Sequence, residues 1–517
     1  MSFSIKYFFF IALNLSIFGF VHADQANRAQ PNILFCMADD ASYEYMSAYG
    51  CKWVNTPNIE RLAKNGLIFT RAYTPSPKCA PSRAIALTGR NPWQLEEAVN
   101  HWCYFPDKFK TYPEALRENG YEVAHTGKTW GPGIFKEGRE MVGRSYNSKS
   151  LASKVTKGIS KEDYAANFSD FLAERDKSKP FFFWFGCHEP HRPYEYGSGL
   201  KSGKKLNDIT NVPAYWPDTP EVRTDMLDYA IEVEHFDRQL GLILDQLEKS
   251  GELDNTLIIV TSDNGMPFPR VKGHPYENSA HMPLVMMWKA GIKNPGRSCD
   301  ELVSFIDFAP TVLDLAKLSS QNSGLQTTTG LSLGAIFTNT QKSPLREHLL
   351  MGRERNDIGR PNNEGYPVRV LLKGDLLYIH NFKPERWPCS NPETGFRDTD
   401  EGPTMTAVLA SGQANLNWEL CVGLRPQQEM YNIKKDPHCL VNLANNPEMA
   451  PKAEELRKAL FVDLEAQGDL WMFGRGEEYE KMPYRKTRTE TFYQDVISGK
   501  VSADRPSSYL IKIPEKK

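Results

Sequence analysis

The sequence carries little net charge of either sign. Its 517 residues include 62 lysines and arginines against 64 aspartates and glutamates, which leaves a formal charge of −2. A chain so balanced is not expected to bind nucleic acid or an anionic membrane through its overall field. Any anionic substrate must therefore be captured by a local group of basic side chains. At this length we expect one large α/β domain with a smaller one, or two to three domains of ordinary size.

Zinc-binding cysteine pairs and internal repeats are also absent. The nine cysteines form no C-x-x-C pair, and the sequence lacks the cluster of histidines and aspartates expected around two zinc ions, which disfavours a zinc phosphatase. An exported protein can oxidise cysteines to disulfides, but the spacing does not say which would pair. Cys36 and Cys187 fall inside apolar segments, and we predict that they are buried thiols.

Long apolar runs are lacking outside the N-terminus. There, Lys6 precedes a mostly apolar run over residues 7–20, and Val21-His22-Ala23 resembles a cleavage site. The run is short for a membrane span, so residues 1–23 are predicted to be a signal peptide, with an uncleaved N-terminal anchor as the alternative. We therefore expect export to a bacterial periplasm or beyond, and no membrane span once the signal is removed.

Polar side chains follow three apolar segments of strand length. Asp39 and Asp40 follow the first segment, and Asp263 and Asn264 follow the third. Continuous apolar runs are typical of strands that are covered on both faces of a parallel sheet. Adjacent carboxylates at such a point need a positive partner, and carboxylate and amide oxygens suit Ca²⁺. Considered alone, the aspartate pair is equally consistent with a solvated turn.

The second apolar segment ends in histidines. It covers residues 181–187 and is followed by His188, His191 and Arg192. Because open α/β sheets bind ligands beyond the carboxyl ends of their strands, we expect these side chains to lie near the aspartates.

Residues 75–90 combine a proline-punctuated loop with a helix start. Cys79 lies just before the helical sequence, where free backbone N–H groups and the helix dipole favour an anion. Arg83 follows one turn later on the same side of the helix. This arrangement predicts a site for a tetrahedral oxyanion, whereas the alternative is a structural cysteine beside a helix cap.

The same stretch resembles the signature of a known family. Cys79-x-Pro-Ser-Arg83, followed by Leu-Thr-Gly-Arg90, is similar to the motif of the type I sulfatases, in which a maturation enzyme converts the cysteine to Cα-formylglycine. The resemblance spans roughly residues 30–445. The motifs HEPHRP from His188 and SDNGMP from Ser262 are most similar to N-sulfoglucosamine sulfohydrolases and to bacterial relatives that act on algal polysaccharides.

The resemblance implies a fold. It is the alkaline-phosphatase-like α/β/α sandwich with a smaller C-terminal domain built on a four-stranded antiparallel sheet. We place the catalytic domain at residues 24–340, the C-terminal subdomain at 341–475 and a tail at 476–517. The sequence pattern itself predicts three strands of the smaller sheet, at 368–372, 376–381 and 429–433.

A long amphipathic helix is predicted over residues 224–247. Its acidic side chains, among them Asp225, Asp228 and Glu232, are predicted to lie mostly on the solvent-exposed face.

The resemblance also implies roles for individual residues. The formylglycine hydrate at Cys79 would attack sulfur, and His188 would protonate the leaving atom. One Ca²⁺ ion would be held by that hydrate and by four side chains, those of Asp39, Asp40, Asp263 and Asn264. Three cations would neutralise the transferring group, namely Arg83, Lys128 and Lys272. The family usually has a histidine two residues after the lysine, but this chain has Trp130, and His125 is a candidate replacement.

The substrate is only partly indicated. We assign substrate binding to His191 and to a basic loop that contains Arg353, Arg355, Arg360 and Arg369, for which a solvated loop is the alternative. The expected function is removal of sulfate from a glycan such as ulvan, carrageenan or a heparan-type chain. The alternatives are a phosphodiesterase or phosphonate monoester hydrolase on the same scaffold, and a glycan-binding homologue without activity.

Overall fold

The computed structural model describes residues 30–485 and 491–503. The signal peptide that we predict at residues 1–23 lies outside the described residues, as does much of the predicted tail. Within the described part of the chain, no helix is both long enough and apolar enough to cross a membrane.

A large sheet lies at the centre of the molecule. Its strands are β1 (Asn32–Ala38), β2 (Leu67–Tyr73), β4 (Glu122–Gly127), β6 (Arg144–Ser145), β7 (Phe181–Gly186), β8 (Thr256–Ser262), β9 (His281–Met287), β10 (Arg297–Cys299) and β11 (Val303–Ser304). Eight of them follow the order β10-β2-β9-β8-β1-β7-β4-β6, and β11 pairs with β2. All neighbours are parallel except on the two sides of β9. A separate ribbon pairs β3 (Cys103–Tyr104) with β5 (Gly133–Ile134).

Helices cover both faces of this sheet, so its strands are buried on both sides. Along β1, Ile33, Phe35 and Met37 join one apolar cluster, whereas Leu34 and Cys36 join the other, as the period of two of a strand requires. The α-helices are α1 (Pro57–Lys64), α2 (Cys79–Thr88), α3 (Tyr112–Glu118), α4 (Tyr164–Glu174), α5 (Ser198–Lys201), α6 (Pro220–Lys249), α7 (Glu277–Ala280), α8 (Phe308–Leu315), α9 (Ser320–Ser323), α10 (Gly334–Phe337), α11 (Pro403–Ala410), α12 (Leu416–Val422), α13 (Ala450–Ala466), α14 (Glu478–Lys481) and α15 (Phe492–Ile497). The predicted α/β/α sandwich is confirmed.

A second sheet of four antiparallel strands follows. Its strands run in chain order and are β12 (His348–Arg353), β13 (Val368–Lys373), β14 (Leu376–Asn381) and β15 (Gln428–Asn432). Helix α13 covers one face, where Leu456 and Leu460 pack with Leu371 and Tyr378. The pattern-based prediction found three of these strands and missed β12.

Helix α6 differs from the prediction. Asp225, Asp228 and Glu232 are buried instead of exposed. Arg192 forms an ion pair with Asp225 at 2.8 Å, and Asp228 accepts hydrogen bonds from the backbone N–H groups of Gly197 and Gly199. The loop after β7 therefore covers the face that the sequence pattern assigns to solvent.

All nine cysteines are free thiols. Cys36 and Cys187 are fully buried, as predicted.

Candidate active site

Two neighbouring strands bring the acidic residues together. Strands β1 and β8 are parallel, and Ala38 lies opposite Ser262 at their carboxyl ends. The backbone N–H of Asp40 donates to Asp263 Oδ1 at 3.0 Å. Asp40 has φ 74°, a left-handed conformation that aspartate tolerates better than most residues. The tight turn after β1 thus places both of its carboxylates beside Asp263.

Helix α2 brings Cys79 to the same point. All ten of its residues are buried, and Ser82 fixes its first turn by donating to the Asp263 carbonyl oxygen at 2.6 Å. Cys79 Sγ lies 3.6 Å from Asp39 Oδ1 and 3.9 Å from Asp40 Oδ1. One ligand atom each from Cys79, Asp39 and Asp263 lies within 4.8 Å of the others. The cysteine therefore lies among carboxylates, at a helix N-terminus.

Three cations hold these carboxylates. Arg83 Nε donates to Asp263 Oδ2 at 2.7 Å, and Arg83 is fully buried. Lys128 Nζ lies 2.8 and 2.7 Å from the two oxygens of Asp39. Lys272 Nζ lies 2.7 Å from Asp40 Oδ2. In this arrangement each buried carboxylate has a cationic partner, which offsets the cost of its desolvation.

The donor set suits a hard cation. The Asn264 amide nitrogen donates to Asp40 Oδ1 at 2.7 Å, whereas Asn264 Oδ1 is buried and has no hydrogen-bond partner among the described residues. A buried acceptor without a donor is uncommon in native proteins. With the carboxylates of Asp39, Asp40 and Asp263, this oxygen forms a group of hard oxygen donors of the type that Ca²⁺ prefers.

Burial and charge oppose each other in this cluster. Burial alone would raise the pKa of Asp39, but Lys128 and Arg83 bring that pKa well below its usual value. Burial raises the pKa of the Cys79 thiol far above its usual value, although Lys128 and Lys272 act in the opposite direction. Burial therefore disfavours the thiolate form of an unmodified Cys79, the form that acts as a nucleophile.

Two half-exposed histidines lie on the solvent side of the cluster. His191 Nε2 is 3.8 Å from Asp40 Oδ2, and its Nδ1 lies 2.5 Å from the Arg192 carbonyl oxygen. His188 Nε2 is 3.7 Å from Glu162 Oε1. Burial would lower the pKa of His188, but Glu162 outweighs it and the pKa lies above its usual value. His188 thus stays protonated to a higher pH than a free histidine.

Trp130 has a structural role in this chain. It is 5% exposed, its indole N–H donates to the Ala80 carbonyl oxygen at 3.0 Å, and its ring meets that of Phe105 edge to face. His125 Nδ1 lies 3.4 Å from the Val142 carbonyl oxygen, and we find no contact between its ring and the carboxylate cluster in the described part of the chain. The interpretation of His125 as a replacement histidine is therefore not supported.

The predicted basic loop is neither a loop throughout nor exposed. Arg353 ends strand β12, and Arg369 lies in β13. Arg353 and Arg360 share Asp398, at 2.8 and 2.7 Å. All four arginines are buried, namely Arg353, Arg355, Arg360 and Arg369.

Backbone and acidic partners also occupy the other two of these arginines. Arg355 donates to the carbonyl oxygens of Glu480 and Met482, and Arg369 pairs with Asp469 at 2.6 Å. Internal partners explain these four side chains, so we correct the assignment of Arg353 and Arg355 to substrate binding.

The sequence interpretation missed one wall of the site. Lys78, just before Cys79, pairs with Asp357 at 3.0 Å, and His101 Nδ1 lies 3.6 Å from the same carboxylate. Asp400 Oδ2 lies 3.8 Å from Lys272 Nζ. The position of Lys78 directly before Cys79 could have identified it from the sequence as a residue of the site. Asp357 and Asp400 gave no such signal, because their partners Lys78 and Lys272 lie more than a hundred residues away in the sequence.

A comparison with known protein families assigns the chain to one of them. Residues 31–318, more than half of the chain, match the sulfatase family. The chain belongs to the sulfatase family. It is a sulfuric ester hydrolase. The family that the cysteine motif predicted is thus confirmed.

Individual relatives agree with this assignment. The sulfatase is 28% identical over 499 residues to an ulvan-active sulfatase of Formosa agariphila, covering 85% of this chain and 76% of the relative. It is 28% identical over 478 residues to the human N-sulphoglucosamine sulphohydrolase, covering 84% and 90%. A solved structure in complex with its substrate D-glucosamine-2-N,6-O-disulfate superposes with a TM-score of 0.59 at 21% identity, covering 89% of this chain and all of that one. The structural match supports the alkaline-phosphatase-like fold.

Proposed function

We propose that this sulfatase is an exported enzyme that removes sulfate groups from a sulfated oligosaccharide or polysaccharide. The observation that carries the proposal is the convergence of Arg83, Lys128 and Lys272 on three carboxylates and Cys79, beneath two half-exposed histidines. Relatives named for ulvan and for N-sulphoglucosamine support a glycan as the substrate. The predicted signal peptide supports export to the periplasm or beyond.

We further propose that a maturation enzyme converts Cys79 to formylglycine and that the site binds one Ca²⁺ ion. The orphaned Asn264 Oδ1 and the carboxylates of Asp39, Asp40 and Asp263 would hold the ion with the modified residue. When bound, the ion would polarise a sulfate oxygen and favour the ionised form of the nucleophile. The resemblance of the cysteine motif to the sulfatase signature, and the match of residues 31–318 to that family, support the modification.

The side chains of the cluster have separate roles in this proposal. Arg83, Lys128 and Lys272 lie around Cys79 at fixed positions and would neutralise the charge of the sulfuryl group, the contribution expected to lower the barrier most. His188, with its raised pKa, would donate a proton to the leaving oxygen or nitrogen. His191, beside Asp40, would orient the sugar that carries the sulfate.

The test combines mass spectrometry with a substrate panel. Protein from the native host should yield a Cys79 peptide in the aldehyde form, and should release sulfate from N-sulfated glucosamine, ulvan or carrageenan oligosaccharides. Cys79→Ala should abolish release, and a chelator should lower it reversibly. An unmodified thiol in active protein would overturn the mechanism. Faster hydrolysis of phosphate diesters or phosphonate monoesters than of any sulfate would overturn the proposed substrate class.

A further inference from the structure

Asp400 lies beside one of the three cations of the site. Its Oδ2 atom is 3.8 Å from Lys272 Nζ, and that ammonium group also contacts Asp40 at 2.7 Å. The Asp400 side chain is 22% exposed, whereas its Oδ2 atom is buried and has no hydrogen-bond partner among the described residues. Because a buried acceptor without a donor is uncommon, the missing donor must come from water or from a ligand. Rotation about the last side-chain bond exchanges the two oxygens, so either can accept from that donor.

The surroundings keep this carboxylate ionised. Burial would raise the pKa of Asp400, but four basic groups bring that pKa well below its usual value, namely Lys272, Lys78, His191 and Arg192. An ionised carboxylate accepts hydrogen bonds and cannot donate them. Two of the basic groups, Lys272 and His191, belong to the candidate active site. Asp400 is therefore an acceptor at the edge of that site.

A second group without a partner lies on the same wall. His101 is 6% exposed, and neither of its ring nitrogens has a hydrogen-bond partner in the described part of the chain. Its Nδ1 atom is 3.6 Å from Asp357, which pairs with Lys78 directly before Cys79. Burial lowers the pKa of His101 to about 4, so its ring is neutral at neutral pH and has one donor and one acceptor. Lys78 interacts with both Asp357 and Asp400, which places the two unpartnered groups around one lysine.

The wall is held in place from behind. The backbone N–H of Asp357 donates to Asp398 Oδ1 at 2.5 Å. The other oxygen of Asp398 accepts from Arg353 and Arg360, at 2.8 and 2.7 Å. Asp400 follows Asp398 by two residues. The buried arginines thus fix the position of the wall without contacting a substrate.

Asp400 is not needed to hold Lys272. The contact of Lys272 with Asp40 is a hydrogen-bonded ion pair, whereas its distance of 3.8 Å to Asp400 is too long for a hydrogen bond. Asp40 alone therefore accounts for the position of the ammonium group, and the carboxylate of Asp400 is left for another partner.

We propose that Asp400 determines substrate specificity by accepting a hydrogen bond from the sugar hydroxyl next to the sulfated position, with His101 as a second polar contact for the same sugar. The inference rests on the proposed function, in which Lys272 contacts the sulfuryl group. The next polar atom of the sugar is then the oxygen on the neighbouring carbon, and Asp400 is the next polar group beside Lys272. Hydrogen bonds to an ionised acceptor are the stronger kind. A second sulfate at that carbon has no donor and would bring like charges together, so the site should reject it.

The kinetic test compares substrates with and without the neighbouring hydroxyl. The probes are the methyl glycoside of N-sulfated glucosamine and a sulfated disaccharide of ulvan, each paired with a derivative that has hydrogen in place of that hydroxyl. For Asp400→Asn, we expect kcat/KM for the hydroxyl-bearing probe to fall about tenfold, as for loss of a hydrogen bond to a charged group. The kcat/KM for the deoxy probe should change less than about twofold.

The comparison contains its own controls. A folding defect would lower both values, because the two probes are measured on the same protein. Asp254→Asn is the matched variant, since Asp254 also lies beside a lysine, Lys289 at 2.8 Å, but is 75% exposed; it should change neither value. An equal loss for both probes would show that Asp400 acts only through Lys272 and would refute the inference, as would no loss for either.

A binding test keeps the inference separable from the proposed function. Cys79→Ser protein, with and without Asp400→Asn, is titrated by calorimetry with the same four probes. Weaker binding of the hydroxyl-bearing probe alone supports Asp400 as the acceptor even where the wild type releases no sulfate. Unchanged binding, an equal loss for the deoxy probe, or no binding of any probe contradicts it.

Discussion

Replacing Lys128 with a neutral residue should lower turnover and at the same time strengthen Ca²⁺ binding. Its Nζ atom contacts both oxygens of Asp39, and its side chain is 16% exposed. Lys128→Met keeps most of the stem and removes the charge. Loss of one fixed cation at the transferring group should lower kcat by about 10²–10³-fold. The same change frees the Asp39 oxygens for a metal ion.

The second outcome is tighter metal binding. An ammonium group within roughly 4 Å of a divalent ion repels it by several kcal/mol, even at an effective dielectric constant of about 20. We therefore expect Lys128→Met to bind Ca²⁺ at least about tenfold more tightly, although its turnover is slow. Calorimetric titration with Ca²⁺ and measurement of sulfate release test the two effects, with the exposed Lys136→Met as control. A variant with unchanged kcat and unchanged Ca²⁺ affinity would refute the reasoning about this lysine.

Two further predictions concern the acid and a buried arginine. Because Glu162 holds the pKa of His188 above its usual value, activity that needs protonated His188 should be lost as pH rises through that pKa. Glu162→Gln should move this alkaline limb to lower pH, whereas Glu137→Gln should not; a limb that stays in place would exclude His188 as the acid. Arg353→Ala leaves Asp398 with one cation fewer and should lower the free energy of unfolding by about 3 kcal/mol in urea denaturation. A rise in KM for the glycan without that loss of stability would restore the substrate-binding interpretation.

The residues that the sequence located best lie directly after buried strands. A strand covered on both faces is a continuous apolar run, so the point where it ends is visible without knowing its neighbours. The pairs Asp39–Asp40 and Asp263–Asn264 could therefore be placed at one edge of the sheet. The adjacency of β1 and β8 turns those two local signals into a single cluster.

The errors concern side chains whose partners are distant in the sequence. The acids of α6 follow a helical period that is typical of a solvent-exposed face. Partners from elsewhere in the chain make that face an interior, among them Arg192, the backbone of the loop after β7 and Thr404. Glu162 and Asp400 gain their importance from His188 and Lys272, which no local pattern links to them. Arg353 lies in a strand that the pattern missed, and its charge suggested exposure because most arginines are exposed.

The contacts of Arg355 determine how early during synthesis one wall of the active site can form. Its backbone carbonyl oxygen accepts from His101 in the wall of the site, and its guanidinium is held by the carbonyl oxygens of Glu480 and Met482. That set of contacts cannot be complete until Glu480 and Met482 have been synthesised. At about 5–20 residues per second, the roughly 400 residues between Cys79 and Met482 take tens of seconds to add. During that interval Cys79, which the finished fold buries, is accessible to a modifying enzyme.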